Sequence, residues 1–177
     1  MEKQISTTQV YDGSGISVRV DRVRKPNGKT TTRDVVEHGD CVVAVPVDEA
    51  GNVLLVRQFR YPVDSYLLEV PAGGVEPGED TLDCVRRELQ EEIGYAPGAI
   101  EKLGGFYSIP GYGTEYLYAY VARDLKTSRL VAEDTDEIEV VKVPLKDVPG
   151  LIESGKICDA KSIAALLMYM AREKLLA

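Results

Sequence analysis

The chain has 177 residues, 44% of them hydrophobic and 28% charged, which supports a sizeable core in one compact domain and leaves too little for two comfortable ones. Its 21 Lys and Arg against 29 Asp and Glu give a net charge of −8 with no basic run, which argues against nucleic acid or an anionic membrane as partner and suits a cation site. A single histidine, His38, and the scattered cysteines Cys41, Cys84 and Cys158 exclude a zinc site built on repeated His and Cys ligands. An odd cysteine count with no pair at close spacing, no N-terminal apolar run and no 18-residue apolar stretch point to a reduced cytoplasmic protein without disulfides.

In chain order, Ile16 to Val23 and Thr30 to Val36 read as strands around Lys25-Pro26-Asn27-Gly28, whose Asn-Gly pair is a strong hairpin signal. Cys41 to Val47 and Asn52 to Gln58 are apolar and β-branched, and Asp48 to Gly51 between them predicts a second hairpin. Tyr66 to Val70 is a further strand. The run Pro71 to Gly78 predicts a shaped loop without regular structure, because its glycines and prolines supply positive φ and lack donors. Asp80 is the expected N-cap of a helix of about four turns, with Leu82, Val85, Leu89 and Ile93 on the buried stripe and Gly94 at C′. Strands follow at Ile100 to Tyr107, Glu115 to Val121 and Glu137 to Val143, and helices at Leu145 to Ser154 and Ala160 to Leu176. The layout is α+β.

On the central helix, at about 100° per residue, Glu88 and Glu92 fall within roughly 40° of each other beside the stripe, and Glu91 lies further round toward solvent. Carboxylates one turn apart repel unless they share a hard divalent cation through oxygen ligands. Taken alone they read as a solvated charged face. The glycine-rich loop set against the helix N-terminus shifts the reading toward metal plus phosphate, since bent backbone with free amides accepts close approach of phosphate.

Gly73, five residues, Glu79, seven residues, then Arg87-Glu88-Leu89-Gln90-Glu91-Glu92-Ile93-Gly94 resembles the Nudix box, with Tyr95 standing where the pattern prefers an aliphatic residue. Arg57-Gln58-Phe59-Arg60, Glu69 to Gly73, Ser108-Ile109-Pro110-Gly111 with Pro110 placed 16 residues after Gly94, Glu115, and Arg33 to Val36 followed by His38-Gly39 resemble the ADP-ribose pyrophosphatase branch. The resemblance implies a Nudix fold, a mixed β-sheet sandwiched between helices, with an N-terminal antiparallel extension over 1–38 and the hydrolase domain over 39–177. It implies hydrolysis of the pyrophosphate bond of ADP-ribose or a related nucleoside diphosphate sugar to AMP and ribose 5-phosphate. A GDP-mannose type substrate and a non-catalytic ADP-ribose sensor are the alternatives.

In the same way it implies that Glu88, Glu91, Glu92 and the Ala72 carbonyl hold magnesium, or manganese, while Glu79 and Arg87 brace the loop against the helix and Gly73 completes the box. Glu91, Glu92 and, as general base, Glu137 are the implied catalytic residues, with Asp136, Asp134 and Glu133 still in contention for the base. Arg60, Arg57 and Arg33 would face the diphosphate or its ribose, although Arg33 fits a pairing with a nearby acid equally well. Ser108 and Glu115 belong to the implied substrate loop, and Tyr11, Tyr61, Tyr107 and Tyr112 are the candidates to stack adenine. The N-terminal strands have no obvious sheet edge within the box domain, and their implied purpose is a homodimer that shares its sites.

Overall fold

In the computed structural model, which describes residues 1–132 and 137–175, the chain divides into two compact units. One comprises Met1–Asp40 and Tyr107–Tyr116; the other comprises Cys41–Phe106 and Leu117–Ala177.

The first unit is a three-stranded antiparallel sheet in the order β1-β2-β3, from β1 (Lys3–Asp12), β2 (Ser17–Arg24) and β3 (Thr30–Glu37). The β2–β3 hairpin forms on the expected turn, with Gly28 N–H donating to the Lys25 carbonyl at 2.9 Å. Strand β1 has no counterpart in the sequence reading. It is exposed along its whole length, so no alternation of buried and exposed residues marks it, and its pairing to β2 alone holds it. Two irregularities in register, at Gln4/Ser6 and Gln9/Tyr11, bend this edge strand. The segment from Tyr107 to Tyr116 joins the unit through backbone pairing, as Val36 N–H donates to the Tyr112 carbonyl and Thr114 N–H to the Val36 carbonyl.

The second unit is built on two sheets. One has the order β7-β4-β9-β8, from β4 (Cys41–Pro46), β7 (Ala72–Gly74), β8 (Tyr95–Tyr107) and β9 (Tyr116–Thr127), with β4 and β9 parallel; the other has the order β10-β5-β6, from β5 (Asn52–Arg60), β6 (Ser65–Glu69) and β10 (Glu139–Pro144). The expected hairpin of β4 with β5 is therefore corrected. The Asp48–Gly51 turn forms, but its arms enter different sheets after a single bridge, Val47 to Val53. Strand β4 and residues 53–56 of β5 are apolar without alternation and bury both faces, which an isolated hairpin does not provide.

The two faces meet different helices. Val43, Val45, Val53 and Leu55 pack with Leu166, Tyr169 and Met170 of the C-terminal helix α3 (Ala160–Arg172). Val42, Ala44, Leu54 and Val56 pack with Cys84, Val85, Leu89 and Ile93 of the central helical segment. This is the expected α+β layering, sheets between helices. A one-turn 3-10 segment at Leu145–Asp147 and the short α2 (Val148–Glu153) replace the continuous Leu145 to Ser154 helix. Helix α3 stops at Arg172, where Lys174 turns to a positive φ of 57°, short of the expected Leu176. Strand β8 begins at Tyr95, earlier than expected; as an edge strand it tolerates Pro97.

Candidate active site: a carboxylate cluster gripped by Arg87

The segment from Pro71 to Gly78 is not wholly irregular. Ala72–Gly74 pair antiparallel with Cys41, Val42 and Val43, because the edge of β4 offers a ladder that two glycines can join. Asp80 caps the following helix α1 (Thr81–Glu88), its side chain accepting from Leu82 N–H at 2.8 Å. Beyond Glu88 the chain widens into a π-helical turn, Leu89–Ile93, where the sequence predicted an unbroken α-helix. It closes with Gly94 at φ 75°, whose N–H bonds the Leu89 carbonyl. A widened turn leaves carbonyls to outside donors, and Gln90 accepts from Leu130 N–H at 3.1 Å. Leu82, placed on the buried stripe by periodicity, is 37% exposed; Cys84 takes its place in the core.

At the centre is Arg87. Its Nε and Nη2 donate to Glu79 Oε1 and Oε2 at 2.9 and 3.0 Å, a bidentate fork. Nη1 reaches Glu88 Oε1 at 2.6 Å and Glu91 Oε2 at 3.1 Å, and Nη2 also donates to the Gly74 carbonyl at 3.0 Å. One guanidinium thus ties the loop to the helix and holds two carboxylates of the cluster. This corrects the solvent-facing Glu91: one turn from Arg87, its carboxylate is drawn back and is half-buried. Gly73 is required for a different reason. A Cβ there would fall onto the Glu88 carboxylate, so any larger residue would push that carboxylate off its bond with Arg87.

Glu92 is 7% exposed, and Oε2 accepts from the Ala72 amide at 3.1 Å; among the described residues no side-chain cation bonds it. It is the amide of Ala72, therefore, that engages the cluster. Burial, reinforced by the charge of Glu88, pushes the Glu92 carboxyl up to about 8, against the pull of the Ala72 amide, Arg60 and Lys161. Glu88 is also raised, by burial first and then by Glu91 and Glu79, with Arg87 opposing. Arg87 holds Glu79 down to about 2, and Arg87 itself is raised. A buried carboxylate without a cation, beside two half-buried ones, is a donor set that a hard divalent cation fits: all-oxygen, anionic and converging.

A second group of charges flanks this one. Glu69, 1% exposed at the end of β6, accepts a bidentate pair from Arg60 at 2.9 and 2.7 Å and is also bonded by Lys161 Nζ. Lys161 bonds Asp159 at 2.9 Å, and Asp159 caps α3 by accepting from Ser162 N–H at 3.0 Å. Burial pushes Glu69 upward, yet Arg60 and Lys161 bring it below its ordinary value. The Arg60 guanidinium sits on Glu69, a partner that the sequence reading did not anticipate. Lys161 was missed altogether; the only signal available was a lysine just inside a helix N-terminus, where a cation is locally unfavourable.

The remaining expected residues are distributed as follows. Arg57 reaches Glu139 at 3.4 Å and stacks over the Tyr66 ring, 4.1 Å from its centroid. Glu137 is exposed in the turn before β10, and Glu133, Asp134 and Asp136 lie outside the described residues. In the first unit Arg33 bonds Glu2 through two donors, Nη2 at 2.6 Å and Nε at 3.1 Å, which is the acid pairing that the sequence left open. Ser108 N–H donates to the Glu115 carbonyl at 3.2 Å, and a Glu115 carboxylate oxygen lies 3.6 Å from His38 Nδ1. Tyr11, Tyr61, Tyr107 and Tyr112 are all more than half exposed.

Comparison with known proteins places these residues in context. Residues 37–166 match the NUDIX domain family, and residues 2–36 match the nucleoside diphosphate sugar hydrolase N-terminal domain. The chain is 36% identical to an ADP-ribose pyrophosphatase of Bacillus subtilis (strain 168), covering 98% of this chain and 95% of that protein. It is 33% identical to a methanol dehydrogenase activator of Bacillus methanolicus over the same shares. A crystal structure of an ADP compounds hydrolase superposes with a TM-score of 0.88 at 23% identity, covering 98% of this chain and 94% of that one.

The Glu79–Arg87 fork predicts a specific pH dependence. A carboxyl held near 2 contributes stability that is complete above its ordinary value of 4.5 and is lost as pH falls through about 2. Glu79→Gln should therefore cost about 1–2 kcal/mol in urea unfolding at pH 7, and the gap to wild type should close between pH 4.5 and 2. An equal gap at pH 7 and pH 2.5 would contradict the ion pair.

Proposed function

This chain belongs to the Nudix family of hydrolases, and from that premise we propose that it hydrolyses the pyrophosphate bond of ADP-ribose or a closely related nucleoside diphosphate sugar, giving AMP and ribose 5-phosphate from ADP-ribose. The observation that carries the reading is the buried Glu92 beside Glu88 and Glu91, with the Glu88 carboxylate lying in the space that a side chain at Gly73 would fill. The full-length likeness to an ADP-ribose pyrophosphatase supports the choice of substrate.

Each residue then has one task. Glu88, Glu91, Glu92 and the Ala72 carbonyl would hold magnesium, or manganese in its place. When bound, the cation lowers the pKa of water and neutralises phosphate charge. Arg87 and Glu79 keep the carboxylates in position. Arg60, Arg57 and Arg33 are assigned to the diphosphate or its ribose, Ser108 to the substrate loop, Glu115 to the terminal ribose, and Glu137 to taking the proton from the attacking water. A protonated Glu92 would be a poor ligand; a divalent cation held there would favour its ionised form, in the same direction as the pull of Arg60, which burial outweighs.

We assign the extension over 1–38 to dimer formation and the region 39–177 to catalysis. An edge strand that is exposed throughout and carries Ile5, Val10 and Tyr11 on its surface supports association with a second copy. Light scattering should return the mass of two chains; one chain at working concentration would defeat the assignment. No disulfide joins Cys41, Cys84 and Cys158, which supports a reducing compartment, and we assign the enzyme to the cytoplasm.

The test is a panel of ADP-ribose, ADP-glucose, GDP-mannose and dinucleotides with magnesium, read as phosphate released after a phosphatase, for wild type and Glu92→Gln. ADP-ribose should be turned over best. The variant should lose at least about 100-fold, or about 2.7 kcal/mol of barrier. Because the raised Glu92 pKa penalises folding increasingly from about pH 4.5 to 8, the metal-free variant should also melt higher than wild type, more so at pH 8 than at pH 6. Near-wild-type turnover by Glu92→Gln would refute the ligand assignment, and binding without turnover of any compound would favour a sensor.

A further inference from the structure

We propose that Lys161 is a second substrate-contacting cation beside Arg60, mounted with it on the buried carboxylate of Glu69 and directed at the diphosphate; the inference rests on the function proposed above.

Glu69 is almost wholly buried, and such a carboxylate needs a partner. The Arg60 fork alone supplies one, occupying both oxygens. A further cation on Oε2 exceeds what neutrality of Glu69 requires, and its charge is balanced by Asp159, the cap of α3. Lys161 is moreover the second residue of that helix, where the dipole disfavours a positive charge. Local rules are broken in this way where a site demands it. The ammonium has three N–H donors, of which Glu69 and Asp159 take two, and its side chain is 19% exposed.

Position ties this cation to the carboxylate cluster. Ser162, the next residue of α3, accepts from Val70 N–H at 2.9 Å, and two residues beyond Val70 the Ala72 amide donates to Glu92. The segment from Glu69 to Ala72 therefore carries two cations at one end and the buried carboxylate at the other, and the Cα atoms of Glu69 and Ala72 are at most about 10 Å apart along an extended chain. A diphosphate whose charge is shared between a cation on Glu92 and the Arg60–Lys161 pair would be held from both sides.

The purely structural alternative is that Lys161 only neutralises Glu69, and calorimetry separates the two. Magnesium alone, magnesium with imidodiphosphate (a diphosphate without nucleoside or sugar), and magnesium with an α,β-methylene analogue of ADP-ribose are titrated into wild type, Lys161→Met and Lys161→Arg. The expected result is a loss of tenfold or more in affinity for both diphosphates in Lys161→Met, recovery to within about threefold in Lys161→Arg, and unchanged affinity for magnesium alone. Should Lys161→Met not fold, the double variant with Glu69→Gln, which removes the paired charges together, is compared with Glu69→Gln in its place. Diphosphate affinities within twofold of the wild type, or an equal loss for magnesium alone, would overturn the proposal. Wild type that binds imidodiphosphate but not the ADP-ribose analogue would instead overturn the proposed substrate while leaving the Lys161 comparison intact.

Discussion

Three of the four carboxylates at the centre of the structure depend on what one guanidinium can reach. Arg87 spends a bidentate fork on Glu79, a third donor on Glu88 and Glu91 together, and shares Nη2 with the Gly74 carbonyl. Planarity is what allows this, since a fixed fork can bind the loop side and the helix side at once, whereas a point charge on a flexible stem has no such geometry. Three acids and one cation would leave an excess of negative charge at that spot, and Glu92 adds a fourth carboxyl behind them.

The excess is the functional feature. A buried carboxylate pushed up to about 8 is a cost to the folded chain, and burial of apolar residues around it offsets that cost. Val56, Leu89 and Ile93 pack behind the cluster with essentially no exposure and fix the helix against β5. The arrangement is stable enough to hold its acids close, and in the function proposed above a dication would complete it, turning an unfavourable local charge into affinity for metal and phosphate. A second buried carboxylate, Glu69, is held differently, by two cations of the chain itself, Arg60 and Lys161.

Much of this was legible in the sequence because it is set by local chemistry. The Asn-Gly turn, the Asp80 cap, Gly94 at C′ and the spacing from Gly73 through Glu79 to Glu92 each follow from backbone conformation or from side chains one turn apart. What escaped depends on partners distant in the chain. The division of β4 and β5 between two sheets needs β9 and β10 to exist. The strand at Ala72–Gly74 needs the edge of β4, and the widened turn after Glu88 needs the Leu130 amide. Strand β1 carries no pattern because it buries nothing. Glu91 was misplaced because the angular argument counted only the apolar stripe and left Arg87 out, and Lys161 is 92 residues from the glutamate it serves.

The central claim is that Arg87 preorganises the carboxylates for a divalent cation, and it is tested most directly by titrating manganese into the Arg87→Lys variant and following binding by the paramagnetic resonance of the free ion. The substitution keeps the positive charge and deletes the fork. Outer partners of metal ligands contribute about 10–100-fold to affinity, and the account predicts a loss in that range with the fold intact. Manganese affinity equal to that of the wild type would show that charge alone suffices and would contradict it.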